Sequence, residues 1–144
     1  MISLRWVGAL LLAVIAGGCA PAPPADQVTV SFHLSHFEPA SVRVPAGRPV
    51  TITLRNDDPI GHEWIVGPPE IHAIHRVGTE PVHDTRATEV SVPPFATRTT
   101  TITFEAGEYA FICHLPGHEE YGMKGTLTAE SPDAKLALRW PWSG

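Results

Sequence analysis

An all-β domain of the sandwich or barrel kind, behind an N-terminal signal segment, is what this sequence predicts. Three observations carry that expectation. Apolar residues alternate with polar ones over short runs, turn residues separate the runs at short intervals, and no stretch holds the 3.6-residue period of a long helix. Composition agrees. Among the 144 residues Pro (15) and Gly (12) are plentiful, and Val, Thr and Ile fill the runs between them, as pleated strands favour.

The chain opens on Arg5, the sole charged side chain before an apolar run from Trp6 to Ala16 that closes on Gly17, Gly18 and Cys19. A basic start, a short apolar stretch and a small-residue site make residues 1–18 a signal peptide rather than a membrane span. The segment Ala16-Gly17-Gly18-Cys19 resembles a bacterial lipobox, with Ala16 where Leu is usual. Cys19 is therefore expected to carry a lipid, ordinary secretory cleavage being the alternative. Residues 19–26, with Pro21, Pro23 and Pro24, form a stiff tether. The expected location is the periplasm or the outer face of the cell membrane.

The domain is expected over residues 27–130. Val28, Val30, Phe32 and Leu34 alternate with Thr29, Ser31 and His33 as a half-buried strand. Pro39 interrupts, Val42 and Val44 resume, and Pro45-Ala46-Gly47 turns the chain. Val50, Ile52 and Leu54 alternate with Thr51, Thr53 and Arg55 until Asn56-Asp57-Asp58-Pro59 breaks the strand. His62 to Val66 reads as the next strand. Residues 67–87 show little alternation. Val90 and Val92 mark a short strand, and Thr99, Thr101 and Thr103 alternate with Thr100, Ile102 and Phe104. After Ala106-Gly107, the runs Tyr109 to Cys113 and Lys124 to Ala129 are the last two strands. The tail, residues 131–144, carries Leu136, Leu138, Trp140 and Trp142. It is expected to pack on the sandwich, with docking to a partner or membrane surface as the alternative.

Charge and cysteine usage narrow the function. The formal net charge is −5, and loss of Arg5 with the signal leaves the exported part more acidic. A nucleic-acid binder needs a basic face, so that class is excluded. Of the two cysteines, Cys19 lies at the processing site, which leaves Cys113 alone in an exported protein. Its neighbours make it a functional thiol. The segment Phe111-Ile112-Cys113-His114-Leu115-Pro116-Gly117-His118-Glu119-Glu120-Tyr121-Gly122-Met123-Lys124-Gly125 puts a thiol, an imidazole and a thioether in one loop between two strands. Pro116-Gly117 turns the chain so that His118 points back toward Cys113, and Gly122 relaxes the backbone ahead of Met123. His62 starts a strand directly after a loop and supplies one more imidazole. One thiolate, two imidazoles and a weak axial thioether are the blue-copper donor set, whereas structural zinc takes four tetrahedral ligands without Met. A two-copper centre would need a second Cys in this loop.

With its C-x4-H-x4-M loop, followed by Lys124-Gly125 and a strand, the chain resembles the cupredoxin family over residues 27–130, most closely the rusticyanin and sulfocyanin-type members. The resemblance implies a Greek-key β-sandwich with one copper ion at one end, held by His62, Cys113, His118 and Met123. It also implies an apolar patch at Leu115 and Pro116 beside His118, the more exposed ligand. One departure stands out. After the first His the family often has Asn or Ser, which ties that strand to the Cys loop; here the residue is Glu63, so the rigidity of the His62 side is open.

The remaining histidines are expected at the surface. His72, His75 and His83 read as solvated residues of a surface loop, with a second metal site as the alternative. His72 and His75 would share a face if Glu70 to Arg76 makes a helical turn. His114 should alternate away from the metal, and His33 and His36 lie near the first strand's end. The expected function is one-electron transfer between redox partners rather than catalysis, Cu(II) cycling with Cu(I). A c-type cytochrome or a membrane oxidoreductase is the expected partner, steered by Glu119 and Glu120, with a lipid anchor at the membrane. Copper delivery or buffering is the alternative.

Overall fold

The computed structural model describes residues 23–78 and 86–131. The signal segment with Cys19, His83, and the tail with Trp140 and Trp142 lie outside these. Nine strands and one helix follow in order: β1 (Gln27–His33), β2 (His36–Glu38), β3 (Ser41–Pro45), β4 (Pro49–Asn56), β5 (His62–Gly67), α1 (Pro69–Arg76), β6 (Glu89–Val92), β7 (Thr97–Thr103), β8 (Gly107–Ile112) and β9 (Lys124–Glu130). They form two sheets, ordered β2-β1-β4-β7 and β3-β9-β8-β5-β6. The β1–β4 and β3–β9 pairs are parallel and the others antiparallel. Each parallel pair joins strands distant in sequence, so the chain crosses between the sheets as it winds. The result is the expected all-β sandwich.

Period-two alternation explains the core. Val30 and Phe32 of β1 and Val50, Ile52 and Leu54 of β4 are buried, as are Trp64 and Val66 of β5, Phe111 of β8 and Leu127 of β9, in one apolar cluster. Burying a side chain of this size contributes about 1.5–3 kcal/mol. Phe37 meets Phe32 and Phe111 edge-on, with ring centroids 5.1 and 5.2 Å away. From its first residue to its last, β5 is buried at all positions but Glu63. The stretch expected to be irregular supplies α1, which lies against β5 and β8. Pro69 starts the helix and Glu70 lies in its first turn, with His75 and Arg76 in its last, as the helix dipole favours.

The alternation fails at Leu34. It was expected to continue the buried face of β1, but it is 73% exposed. Leu34 and Ser35 instead take positive φ (50° and 57°) and form the two-residue turn of the β1–β2 hairpin. The reason is distant in sequence. The carboxylate of Asp58 accepts the backbone N–H groups of Leu34 (2.7 Å) and Ser35 (2.8 Å), and that fixes the turn where alternation alone would have run on.

The registers place the C-terminal ends of β1, β4, β6 and β8 and the N-terminal ends of β5, β7 and β9 at one end of the sandwich. Every chemistry-bearing residue singled out around Cys113 lies there.

Candidate metal centre

Cys113 follows directly on β8, and its N–H donates to the Met123 carbonyl (3.1 Å). The ligand loop is therefore closed at its base by the same pairing that joins β8 to β9. Within it, the N–H of His118 donates to the Leu115 carbonyl and that of Met123 to the His118 carbonyl (3.0 and 2.9 Å). Gly117 and Gly122 take positive φ (84° and 100°), a backbone conformation that a side chain would strain. These turns carry His118 back toward Cys113, as the Pro116-Gly117 dipeptide predicts.

Three donor atoms converge. His62, Cys113 and His118 have ligand atoms within 4.8 Å of one another, the sole such group among the described residues. His62 Nδ1 lies 3.2 Å from His118 Nδ1, and Cys113 Sγ lies 3.3 Å from the same nitrogen. Cys113 and Met123 are fully buried and His62 almost so, while His118 is half-buried. Met123, fourth of the predicted ligands, is locked by its backbone to Cys113 on one side and His118 on the other. Burial pushes the Cys113 thiol up, against the N–H groups of Glu63 and Leu115. Burial and then the neighbouring His62 hold His118 below its ordinary value. A cation that accepts a thiolate and neutral imidazoles relieves both costs.

Asp58 is the residue that sequence reasoning missed. Its Oδ2 lies 2.8 Å from His62 Nε2. A carboxylate only accepts, so Nε2 carries the proton and Nδ1 turns its lone pair to Cys113 and His118. Burial favours the neutral carboxyl, but the N–H groups of Ser35 and Leu34 and the His62 ring together outweigh it and hold Asp58 below the usual carboxylate range. Asp58 is held in turn by Asn56. The Asn56 Oδ1 accepts the Asp58 N–H (2.9 Å), and its amide reaches the carbonyls of Ile60 (2.7 Å), Pro93 (3.0 Å) and Val92 (3.1 Å). The sequence showed Asn56-Asp57-Asp58-Pro59 only as a strand breaker. An acid four residues before a predicted ligand was the available signal.

Glu63 does not leave the His62 side loose. Its backbone N–H points at Cys113 Sγ (3.4 Å), so the main chain supplies a tie for which no Asn or Ser side chain is needed.

The other histidines require correction. His72 and His75 are not solvated, being 2% and 6% exposed. They lie on α1 as the helical turn predicts, and α1 packs them onto the sheet. His72 pairs across to His114, with Nδ1 2.9 Å from His114 Nε2. His114 points away from Cys113, as alternation requires, and the ring of His75 stacks on it with centroids 5.5 Å apart. Burial and then His72 push His114 down to about 4. Burial also lowers His72, against the carbonyls of Ala110 and Gly67. His33 and His36 are exposed, as expected. Glu119 is not a free acid: its carboxylate takes Arg76 (Nε to Oε2, 2.9 Å).

Residues 7–129 match the model of the cupredoxin-like domain. The chain belongs to that family. Reduced auracyanin of Roseiflexus castenholzii shares the fold at a TM-score of 0.62 and 21% identity, covering 75% of this chain and 99% of that one. Reduced rusticyanin does so at a TM-score of 0.53 and 24% identity, covering 75% and 82%. The copper-resistant cuproprotein CopI of Pseudomonas aeruginosa is 25% identical over 84% of this chain and 93% of its own length. In this cupredoxin, His62, Cys113, His118 and Met123 are arranged as a type 1 site for one copper ion, the ion that stabilises the buried thiolate and uses the thioether as a weak axial donor.

Proposed function

We propose that the protein is an exported one-electron carrier, its copper cycling between Cu(II) and Cu(I) as redox partners dock over His118. One observation carries this reading: His118 is the only one of the four donors that is more than slightly exposed, and it lies at the end of the sandwich where exposed apolar side chains collect. Leu115 and Pro116 adjoin it in the loop. Tyr121, in the same loop, is 76% exposed, and Leu34 and Phe95, whose N–H groups bond to Asp58, are 73% and 71% exposed. Exposed apolar side chains gathered at one end mark a protein contact rather than a substrate pocket. The donor set is supplied by protein side chains, and the loop and Asp58 hold them in fixed orientation, which keeps rearrangement on electron transfer small.

The expected partner is a c-type cytochrome or a membrane oxidoreductase. With Glu119 tied to Arg76, Glu120 is the loop acid left to steer a basic partner. Export through residues 1–18 and a lipid on Cys19 would keep the carrier near membrane enzymes. The test is spectroscopic and then kinetic. The full chain with one equivalent of Cu(II) should show an intense thiolate-to-copper band that bleaches on reduction, returns on oxidation and vanishes in Cys113→Ser. It should keep its copper through many such cycles in the presence of a chelator. The second reading, copper delivery or buffering, is favoured by the likeness to a copper-resistant cuproprotein. Loss of copper to the chelator within a few cycles would establish it instead.

A further inference from the structure

Helix α1 contributes none of the four copper ligands, yet three of its side chains meet the loop that carries three of them. That loop, residues 113–123, lies between β8 and β9 and belongs to no strand. Its base is closed by the backbone bond from Cys113 to Met123. Its outward side, where His118 reaches solvent, has to be held by other means. α1 is seated on the sheet beside it. Gly67, at the end of β5, leaves room for Ile71 of the helix: a β-carbon added there would lie 3.1 Å from that side chain. His72 Nε2 meets the Ala110 carbonyl of β8 at 3.2 Å. From this seat the helix reaches the loop at two points, each next to a ligand. His72 and His114 share a ring-to-ring hydrogen bond of 2.9 Å, and the His75 ring stacks on His114; His114 directly follows Cys113. Arg76 forks onto Glu119, with Nε 2.9 Å from Oε2 and a terminal nitrogen 2.5 Å from Oε1; Glu119 directly follows His118. Residues 72, 75 and 76 share one face of a helix, so a single face of α1 spans the loop from its Cys113 end to its His118 end.

We propose that Arg76 is a positioning residue for the copper site: through its fork on Glu119, α1 holds the turn of His118 and Met123 in its ligating arrangement before copper enters. Arg76 acts through Glu119 rather than on the ion. The backbone shows why that grip matters. The Glu119 carbonyl accepts the Gly122 N–H (3.0 Å), and the His118 carbonyl accepts the Met123 N–H (2.9 Å). The turn that Arg76 grips therefore carries both outer ligands. Two parallel bonds from a planar guanidinium fix the plane of the carboxylate as well as its distance, so the fork restrains direction where a single contact would not. Its effect belongs in the loop rather than in the stability of the whole domain, because an ion pair with one half-exposed partner contributes little to unfolding energy. The brace serves the site in either role of the copper, electron transfer or delivery.

The test begins with the copper-free full chain. Amide hydrogen exchange at Gly122 and Met123, read by nuclear magnetic resonance, should be at least tenfold faster in Arg76→Gln and in Glu119→Gln than in the unaltered protein. Exchange at Val30 and Ile52 in the core strands should be unchanged, which also reports that the variants are folded. The double variant should match either single one, because each breaks the same pair. In the copper-loaded protein, the blue band and the electron paramagnetic resonance hyperfine splitting should shift in the same direction in both single variants. Charge alone behaves otherwise: loss of a cation and loss of an anion move the potential in opposite directions and leave the spectra in place. The proposal is overturned if exchange at Gly122 and Met123 does not respond, if the two single effects add in the double variant, or if the potential moves while the spectra do not.

Discussion

Replacing Asp58 with Ala tests how the site is held. The carboxylate accepts from three donors: the N–H of Leu34 at 2.7 Å, the N–H of Ser35 at 2.8 Å and the His62 ring at 2.8 Å. The His62 side chain is fully buried, so its orphaned N–H costs about 1–3 kcal/mol. The two hairpin N–H groups lie at an exposed turn and regain water, so each costs only about 1 kcal/mol. The sum is roughly 3–5 kcal/mol, which lowers the melting temperature of a domain of this size by roughly 15–25 °C. Urea unfolding of the copper-free protein, followed by far-ultraviolet circular dichroism, measures it. The sign with pH follows from the lowered pKa of Asp58. Its stabilisation is present above the ordinary carboxylate value and is lost as pH falls through the folded-state value, so Asp58→Ala should flatten the acid limb of the stability profile. In the copper-loaded protein, removal of a unit negative charge behind His62 should raise the potential. A loss of stability below 1 kcal/mol with an unmoved potential would refute the claim that Asp58 orients His62.

Asn56→Ala should cost roughly 2–4 kcal/mol in the same urea assay, because Asn56 is buried and its amide bridges the carbonyls of Ile60, Val92 and Pro93. Met123→Leu should keep copper and its blue band and raise the potential, as loss of the weak axial donor favours Cu(I); voltammetry reads it, and an unchanged potential would show that Met123 is not a ligand. Tyr121→Lys places a charge in the exposed apolar rim and should slow electron exchange with a partner cytochrome at least several-fold by stopped flow, with the potential unchanged.

The fold was legible where one period governs a whole strand. β4 and β9 alternate from end to end, and the residues that alternation assigns to the core, such as Val50, Ile52, Leu54 and Leu127, are buried. The ligand loop was legible because three donors of rare combination fall between two strands, and such a loop can be closed by local backbone bonds alone. Leu34 was misread because its position is set by a carboxylate 24 residues away, a contact without trace in local periodicity. The histidines of α1 were misread for a related reason. Helical spacing places His72 and His75 on one face, but whether that face meets water or the sheet depends on how residues 67–78 dock, and contacts distant in sequence, to Ala110 of β8 and to His114 of the ligand loop, decide it.

The misreading of Leu34 points to an economy in this chain. Residues that break strands also carry the polar network around the metal. Asn56 and Asp58 end β4, and their side chains then knit three separate segments at the copper end: the β1–β2 turn, the Ile60 loop and the β6–β7 connection. A buried polar network is worth having only when each member is satisfied, and here one carboxylate and one amide satisfy donors and acceptors from all three. The apolar rim follows from that arrangement. Leu34 and Phe95 are exposed because the backbone beside each is tied to Asp58, through its carboxylate for Leu34 and its carbonyl for Phe95 (3.2 Å). The carboxylate that orients His62 thus also holds the Leu34 side of the surface over which a partner would approach His118. Substitutions at Asp58 are therefore expected to change docking and potential together, whereas a substitution in the rim, such as at Tyr121, changes docking alone.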